Sequence, residues 1–257
     1  MIAPLLRPDE PHPVRIRPAR RDTPFVLASD HAGRRLPAAL GTLGLPAAEL
    51  DRHIAWDIGI AGVGEALAEA IGAPLIEQVY SRLVIDCNRR PGHPTSIPVI
   101  SERTEIPGNR DITPDDAAAR MAAIFTPYHD ALAACLAAAR SRGPTLLVAL
   151  HSFTPVFKGV ERPWHAGVLH FREMRLAGIT LDLLRAEGDL VVGDNEPYQL
   201  TGTSDYTVPF HAEERGEPYL ELEIRQDLIA EPAGQRAWAA RLARLLPQAW
   251  DRYTATP

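Results

Sequence analysis

Short runs of apolar residues recur along the chain, each bounded by polar or turn-forming residues, and they predict buried β-strands. Residues 145–150 (TLLVAL) show this pattern most clearly, and residues 24–29 (PFVLAS) are a second example. The other predicted strands cover residues 81–86, 167–171, 190–192 and 219–225.

Segments of helical composition lie between these strands. Residues 61–71 form one such segment, which Gly72-Ala73-Pro74 ends. A longer, alanine-rich helix begins after Thr113, where proline and two aspartates follow as at a helix N-terminus, and it continues to about residue 142. Two further helices are predicted at about residues 173–186 and 233–253.

This alternation predicts an α/β sandwich with a mainly parallel sheet. Residues 1–22 contain many prolines and arginines and are expected to form a flexible arm, followed by a single domain over residues 23–257. Residues 91–111 are rich in proline, glycine and charge, which indicates a long loop of the kind that forms lids or binding loops. In such sheets, ligands bind at the carboxyl ends of the strands.

Composition excludes several classes of protein. With 46% hydrophobic and 23% charged residues the chain is typical of a globular protein, and a net charge of −6 argues against nucleic-acid binding. No apolar stretch long enough for a membrane span or a secretory signal is apparent, so we expect a cytoplasmic protein. Because the chain has only two cysteines, a metal site would depend on histidines and carboxylates.

Two histidines follow predicted strands. His31 lies in Ser-Asp-His-Ala-Gly after the strand 24–29, and His151 directly follows the strand 145–150. A hydrolytic zinc site takes three protein ligands, so two histidines there require a carboxylate. Each histidine could instead cap a turn.

Three carboxylates compete for the third position. Asp57 precedes the helix at 61–71, where it could equally serve as an N-terminal charge of that helix. Asp30 and Asp86 are the alternatives.

The segment 81–89 (SRLVIDCNR) carries groups that suit an anionic substrate. Along a strand, Arg82 and Asp86 share one face. Asn88 and Arg89 follow in the exit loop, where the two donors could hold a free carboxylate. A structural ion pair between Asp86 and an arginine is the alternative.

The alternating segment 220–225 (LELEIR) places Glu221 and Glu223 on one face of a strand. A buried glutamate near a metal can accept a proton from water and return it to a leaving amine. An exposed edge strand would show the same alternation without any function.

Taken together, five motifs in consistent order resemble the N-formylglutamate amidohydrolase family, over roughly residues 24–230. They are His31-Ala32-Gly33, SRLVIDCNR (81–89), ALHSF (149–153), GDNEPY (193–198) and LELEIRQDLI (220–229). That family is similar in fold to zinc carboxypeptidases and aspartoacylases. The resemblance implies a phosphorylase/hydrolase-like, three-layer α/β/α sandwich around a mixed, mainly parallel sheet.

The resemblance also implies roles for individual residues. His31 and His151 become zinc ligands, and Glu223 becomes the catalytic glutamate. Those relatives usually have a His-x-x-Glu pair, whereas this chain has Arg34 three positions after His31, so we choose Asp57 as the carboxylate ligand. The remaining implied roles are stabilisation of the oxyanion by Arg82 and binding of the substrate carboxylate by Asn88 and Arg89.

The predicted function is zinc-dependent hydrolysis of the amide bond of an N-formyl or other small N-acyl amino acid, such as N-formylglutamate. The alternatives are a hydrolase of larger N-acyl amino acids or small peptides, similar to carboxypeptidases or aspartoacylases, and a metal-free carboxylate-binding protein. The loop 91–111 could shape the choice between acyl groups, and GDNEPY could form a pocket wall or a turn. Three further histidines are possible neighbours of the site: His53, His93 and His211.

Overall fold

Seven strands form one mixed sheet in the computed structural model, which describes residues 4–255. The strands are β1 (Val14–Arg17), β2 (Phe25–Ser29), β3 (Leu75–Gln78), β4 (Leu146–Phe153), β5 (Ala166–Leu169), β6 (Val192–Asp194) and β7 (Tyr219–Arg225). Their order across the sheet is β1-β3-β2-β4-β7-β5-β6. The pairs β1/β3 and β7/β5 are antiparallel, and all other neighbours in the sheet are parallel.

Helices cover both faces of this sheet. They are α1 (Ala47–Leu50), α2 (Ile60–Ile71), α3 (Pro114–Arg140, with a π-helical section at Met121–Phe125), α4 (Arg175–Arg185), α5 (Thr207–His211) and α6 (Pro232–Ala255). One hydrophobic cluster joins α2, α4 and α6 to one face of the sheet, and a second cluster joins α3 to the other. Consecutive residues of β2, such as Leu27 and Ala28, point to opposite faces of the sheet and belong to different clusters. The fold is therefore a three-layer sandwich, as predicted.

Short elements complete the chain. Two hairpins stand outside the sheet: Ile100–Ser101 pairs with Thr104–Glu105, and Val156–Phe157 pairs with Val160–Glu161. We refer to them as the 100–105 hairpin and the 156–161 hairpin. Within residues 4–255, 3-10 turns lie at Ala38–Leu40, Pro107–Asn109, Glu213–Arg215 and Gln226–Leu228.

The start of α3 follows from its sequence. The Thr113 hydroxyl accepts a hydrogen bond from the Asp116 backbone N–H, and the Asp116 carboxylate accepts one from the Thr113 backbone N–H. By length and composition, α3 is long and apolar enough to cross a membrane. No such segment is predicted from the sequence. Since Tyr128, Leu132 and Leu136 are buried and the helix packs on β1, β2 and β3, α3 is a layer of the sandwich.

The predicted strand at residues 81–86 is wrong. The chain turns there, and the apolar Leu83 and Val84 are buried in the second cluster without strand pairing. The strand lies earlier, at β3, where its two polar residues concealed it from the hydrophobic pattern. Glu77 is nevertheless buried, because it accepts hydrogen bonds from Arg15 at 2.9 and 3.3 Å.

Two other expectations require correction. Of the expected flexible arm at 1–22, residues 1–3 lie outside the described residues, and the rest includes β1, which is an edge strand of the sheet. The segment 91–111 is a loop for most of its length, but it contains the 100–105 hairpin.

Candidate active site

Three sequence-predicted residues meet at the carboxyl ends of β2 and β4. His31 follows β2 by two residues, whereas His151 lies inside β4, which continues to Phe153 rather than ending before the histidine. These strands are parallel neighbours, so the two rings come within 5.0 Å of each other, centroid to centroid. Asp57 joins them because its backbone N–H donates to the His31 carbonyl at 3.0 Å.

His31, Asp57 and His151 form a buried group whose candidate ligand atoms lie within 4.8 Å of one another. Asp57 Oδ2 lies 3.5 Å from His31 Nδ1 and 3.1 Å from His151 Nδ1. The three residues are only 2–3% exposed. We refer to them as the His–Asp–His cluster.

A carboxylate occupies the outer nitrogen of each imidazole in this cluster. His31 Nε2 lies 2.7 Å from Asp86 Oδ1, and His151 Nε2 lies 3.3 Å from Asp30 Oδ2. The two rival third ligands therefore lie behind the histidines rather than between them. Such carboxylates fix the orientation and tautomer of metal-binding imidazoles.

The donor set fits a divalent transition metal. Two imidazole nitrogens and one carboxylate oxygen are a ligand set of hydrolytic zinc sites. His31 Nδ1 is buried without a hydrogen-bond partner among the described residues, which an ion at this position would relieve. Burial raises the pKa of Asp57, but the neighbouring His31 and His151 outweigh this effect and lower it, so the ligand oxygen is ionised at neutral pH.

Two buried glutamates of β7 face the same space. Glu223 is paired in register with His151 of β4 and Gly167 of β5, and Glu221 lies two residues earlier on the same face. Burial raises the pKa of Glu221 to about 7 and that of Glu223 to about 8. The Oε2 atoms of both have no hydrogen-bond partner among the described residues. The alternative of an exposed edge strand is wrong, since β7 lies inside the sheet.

Arg82 is held beside the cluster by two carboxylates. Its Nε and Nη2 donate to Asp86 Oδ2 at 3.1 and 2.7 Å, and its Nη1 donates to Asp57 Oδ1 at 3.4 Å. The ion pair between Asp86 and an arginine thus exists. It forms across a turn rather than along one face of a strand.

Asn88 and Arg89 lie on the cavity wall but are partly occupied. Asn88 Oδ1 accepts hydrogen bonds from the backbone N–H groups of Tyr206 and Thr207, at 3.2 and 3.0 Å. Arg89 Nη1 donates to Asp205 Oδ1 at 2.7 Å and to the Asn88 carbonyl at 2.8 Å. Arg89 Nε and Nη2 have no hydrogen-bond partner among the described residues, so this edge of the guanidinium is open.

These residues surround a cavity of about 290 Å³. The loop 91–111 supplies part of its wall, including Ile100 and Glu102, and His53 lines it as well. His93, by contrast, bonds to the nearby Thr95 on an exposed loop, and His211 stacks on the buried His129.

The GDNEPY motif (193–198) forms a turn beside the cavity. His170 Nε2 lies 2.7 Å from Asp194 Oδ1, and Asn195 Oδ1 accepts a hydrogen bond from the His170 backbone at 2.9 Å. These bonds fix the turn that brings Tyr198 to the cavity wall.

Several neighbours of the site were not predicted from the sequence. Thr207 donates to Asp30 Oδ1 at 2.7 Å, and Asp205 pairs with Arg89. Both come from the segment before and within α5, which has no strong pattern in the sequence. Glu221 also lines the cavity, because the alternation of β7 places it on the same side as Glu223.

Comparisons with known proteins agree with this architecture. The profile of a family described as N-formylglutamate amidohydrolase matches residues 23–230. Gene product Atu2144 from Agrobacterium tumefaciens is 36% identical to this chain in sequence. Its crystal structure matches with a TM-score of 0.90, and the match covers 97% of this chain and 99% of that chain. The N-formylglutamate amidohydrolase from Ralstonia eutropha JMP134 is 20% identical with a TM-score of 0.72, over 95% and 100% of the two chains, and it shows the same fold. A search of curated proteins finds no match.

Proposed function

Because this chain belongs to the N-formylglutamate amidohydrolase family, we propose that it is a zinc-dependent enzyme that hydrolyses N-formyl or other small N-acyl amino acids. The products are formate, or another small acid, and the free amino acid. One observation carries this proposal: the His–Asp–His cluster and Glu223 line one cavity together with the open edge of Arg89.

His31, Asp57 and His151 are the residues that would hold the ion. Zinc bound there supplies a Lewis acid that polarises the acyl carbonyl and lowers the pKa of water. Asp86 holds the outer nitrogen of His31 by a hydrogen bond, and Asp30 lies 3.3 Å from the outer nitrogen of His151, so the inner nitrogens of both imidazoles face Asp57.

Glu223 is the general base in this proposal. Glu223 lines the cavity and its Oε2 has no hydrogen-bond partner among the described residues, so it can take a proton from the attacking water. The same oxygen then carries this proton to the nitrogen of the leaving amino acid. A raised pKa suits both steps, since a group with a pKa near the working pH accepts and releases protons readily.

Arg82 and Arg89 bind different anionic groups: Arg82 binds the oxygen on the acyl carbon, and Arg89 binds the substrate carboxylate. Arg82 retains two N–H groups beyond its bonds to Asp57 and Asp86, and these can donate to the oxygen that gains charge on the acyl carbon. The Nε/Nη2 edge of Arg89 matches the two oxygens of a substrate carboxylate, and the Asn88 amide can add a donor beside it.

The chain is also proposed to act in the cytoplasm. Its two cysteines, Cys87 and Cys135, are free thiols. Unpaired cysteines are typical of a reducing compartment.

The test is a deacylation screen of purified protein, combined with metal analysis. We expect zinc to copurify at about one equivalent, activity on N-formyl amino acids to disappear with a chelator, and zinc to restore it. Activity only on N-acetyl compounds or dipeptides would assign the larger-substrate alternative. Binding of amino-acid carboxylates without metal and without turnover would assign a binding protein.

A further inference from the structure

Among the described residues, two guanidinium groups line the cavity, and Arg89 is the one whose Nε/Nη2 edge is not already paired with a carboxylate. Arg82 directs its Nε/Nη2 edge at Asp86, and its Nη1 at Asp57. Arg89 uses Nη1 for Asp205 and for a backbone carbonyl, so its Nε/Nη2 edge is left for a ligand. In the proposed reaction the two N–H groups that Arg82 retains donate to the oxygen on the acyl carbon, so Arg89 is left as the bidentate site for a substrate carboxylate.

The remaining cavity wall, on the side of the two hairpins, combines apolar and polar side chains. Its apolar residues include Ile54, Ile100 and Phe157, and its uncharged polar residues include Thr95, Ser101 and Gln199. Such a surface can contact an uncharged substrate side chain, apolar or polar.

The charged groups on this wall do not suit a second carboxylate. Glu102 is an acid that pairs with Arg52 and accepts a hydrogen bond from the Lys158 backbone at 3.0 Å. His53 lies 3.5 Å from Glu102, and burial lowers its pKa, so its ring is neutral at pH 7. Arg162 stacks on the rings of Phe157 and Tyr198 but does not line the cavity. An acidic substrate side chain would therefore lose water at this wall and gain no cationic partner among its described lining residues.

We therefore propose that the enzyme acts on N-acyl amino acids with an uncharged side chain, and that N-formylglutamate is a poor substrate. This inference rests on the proposed function. It assigns the single open guanidinium edge to the α-carboxylate and the hairpin wall to the side chain.

The first test compares four substrates with the zinc-loaded enzyme: the N-formyl derivatives of leucine, phenylalanine, glutamine and glutamate. Glutamine and glutamate have nearly the same shape, so their ratio isolates the effect of the charge. We expect kcat/KM for N-formylglutamine to exceed that for N-formylglutamate at least about tenfold, and kcat/KM for N-formylleucine to exceed it by at least the same factor. An equal or higher value for N-formylglutamate overturns the inference and leaves the proposed function standing.

Calorimetric measurement of the binding of the same compounds separates a failure of the proposed function from a failure of the side-chain preference. If none of the four is hydrolysed, the proposed function is wrong, and the order of Kd values still tests the side-chain preference. Tighter binding of N-formylglutamate than of N-formylglutamine would overturn the inference by this route as well.

The second test adds a cation to the hairpin wall. Ile100→Arg should raise the glutamate-to-glutamine ratio of kcat/KM at least about fivefold, because it supplies the missing partner for a second carboxylate. Val99→Arg is the matched control, since Val99 is adjacent and similarly exposed, at 48% against 55%, but does not line the cavity. An unchanged ratio in Ile100→Arg, or an equal change in both variants, contradicts the placement of the side chain at this wall.

Discussion

His31 and His151 show how much of a metal site lies outside its ligands. Each imidazole has one nitrogen facing Asp57 and the other facing a carboxylate, Asp86 or Asp30. Asp86 is fixed in turn by Arg82 and by the Asn88 backbone N–H at 2.9 Å. The position of a ligand atom therefore depends on residues that never touch the ion.

Asp86→Asn should weaken zinc binding about 10- to 100-fold, because it removes the charge behind His31. Competition with a chromogenic chelator measures the change in Kd. Asp194→Asn is the control: Asp194 holds His170 Nε2 at the same 2.7 Å, but outside the cluster. A comparable loss in both variants would mean that the effect is a general destabilisation.

Glu223→Gln should lower kcat by about 10²- to 10⁴-fold while zinc stays bound, because the variant cannot accept the proton of water. Glu221→Gln should have a smaller effect, since Glu223 is paired with His151 across the strands whereas Glu221 is paired with Ala149. Single-turnover rates with parallel metal analysis decide between them. A larger loss in Glu221→Gln would transfer the role of base to that residue.

Among the elements, those with a clear hydrophobic period were predicted well. β7 has the predicted bounds, and the predicted helix at 61–71 differs from α2 by one residue. The hydrophobic pattern predicts a strand at residues 81–86, where the chain turns, and misses β3. The reason is that β3 contains Glu77, whose burial depends on Arg15, sixty-two residues away. A hydrophobic pattern contains no information about such a distant partner.

At β5, a glycine permits close contact between elements. A Cβ on Gly167 would lie 1.9 Å from the Glu196 carbonyl oxygen, in the turn that positions Tyr198. Gly167→Ala should therefore lower the free energy of unfolding by about 1–3 kcal/mol or more. Urea denaturation measures this difference.

Gly178→Ala is the opposite case within the same fold. Gly178 lies inside α4 with open space around the missing Cβ, so alanine should raise the free energy of unfolding by about 0.5–1 kcal/mol. If both alanine variants change stability in the same direction, the close approach at Gly167 does not limit the fold.

For the whole molecule, the family and the sandwich were predictable from the order of the motifs, and both are confirmed. The three predicted metal ligands do come together, although their role as ligands stays a prediction. The motifs do not predict which hydrogen bonds each side chain makes. The side-chain oxygen of Asn88 accepts hydrogen bonds from two backbone N–H groups, and Arg89 Nη1 donates to Asp205, a residue outside every motif.

Stability should decrease as the medium becomes acidic, in part because of a buried histidine pair. His129 Nδ1 lies 3.0 Å from His211 Nε2, and burial lowers their pKa values to about 4 and about 3 from 6.5. Below pH 6.5 the unfolded chain binds protons that the folded chain does not. Each histidine therefore removes up to about 1.4 kcal/mol per pH unit, until the pH reaches its folded pKa.

Urea unfolding of the metal-free protein between about pH 7.5 and pH 5 tests this. The double variant His129→Gln, His211→Gln should show a shallower dependence over that interval than the parent chain. Parallel curves for the two proteins would assign the acid sensitivity to other groups.

The two hairpins beside the cavity are joined through Lys158. Its carbonyl accepts a hydrogen bond from Arg103, and its backbone N–H donates to Glu102. Lys158 is also the only lysine of the chain, and its side chain is exposed. An amine-reactive dye therefore has one lysine side chain as its target, beside Glu102 and Phe157 of the cavity wall, so its fluorescence can follow substrate binding without any engineered residue.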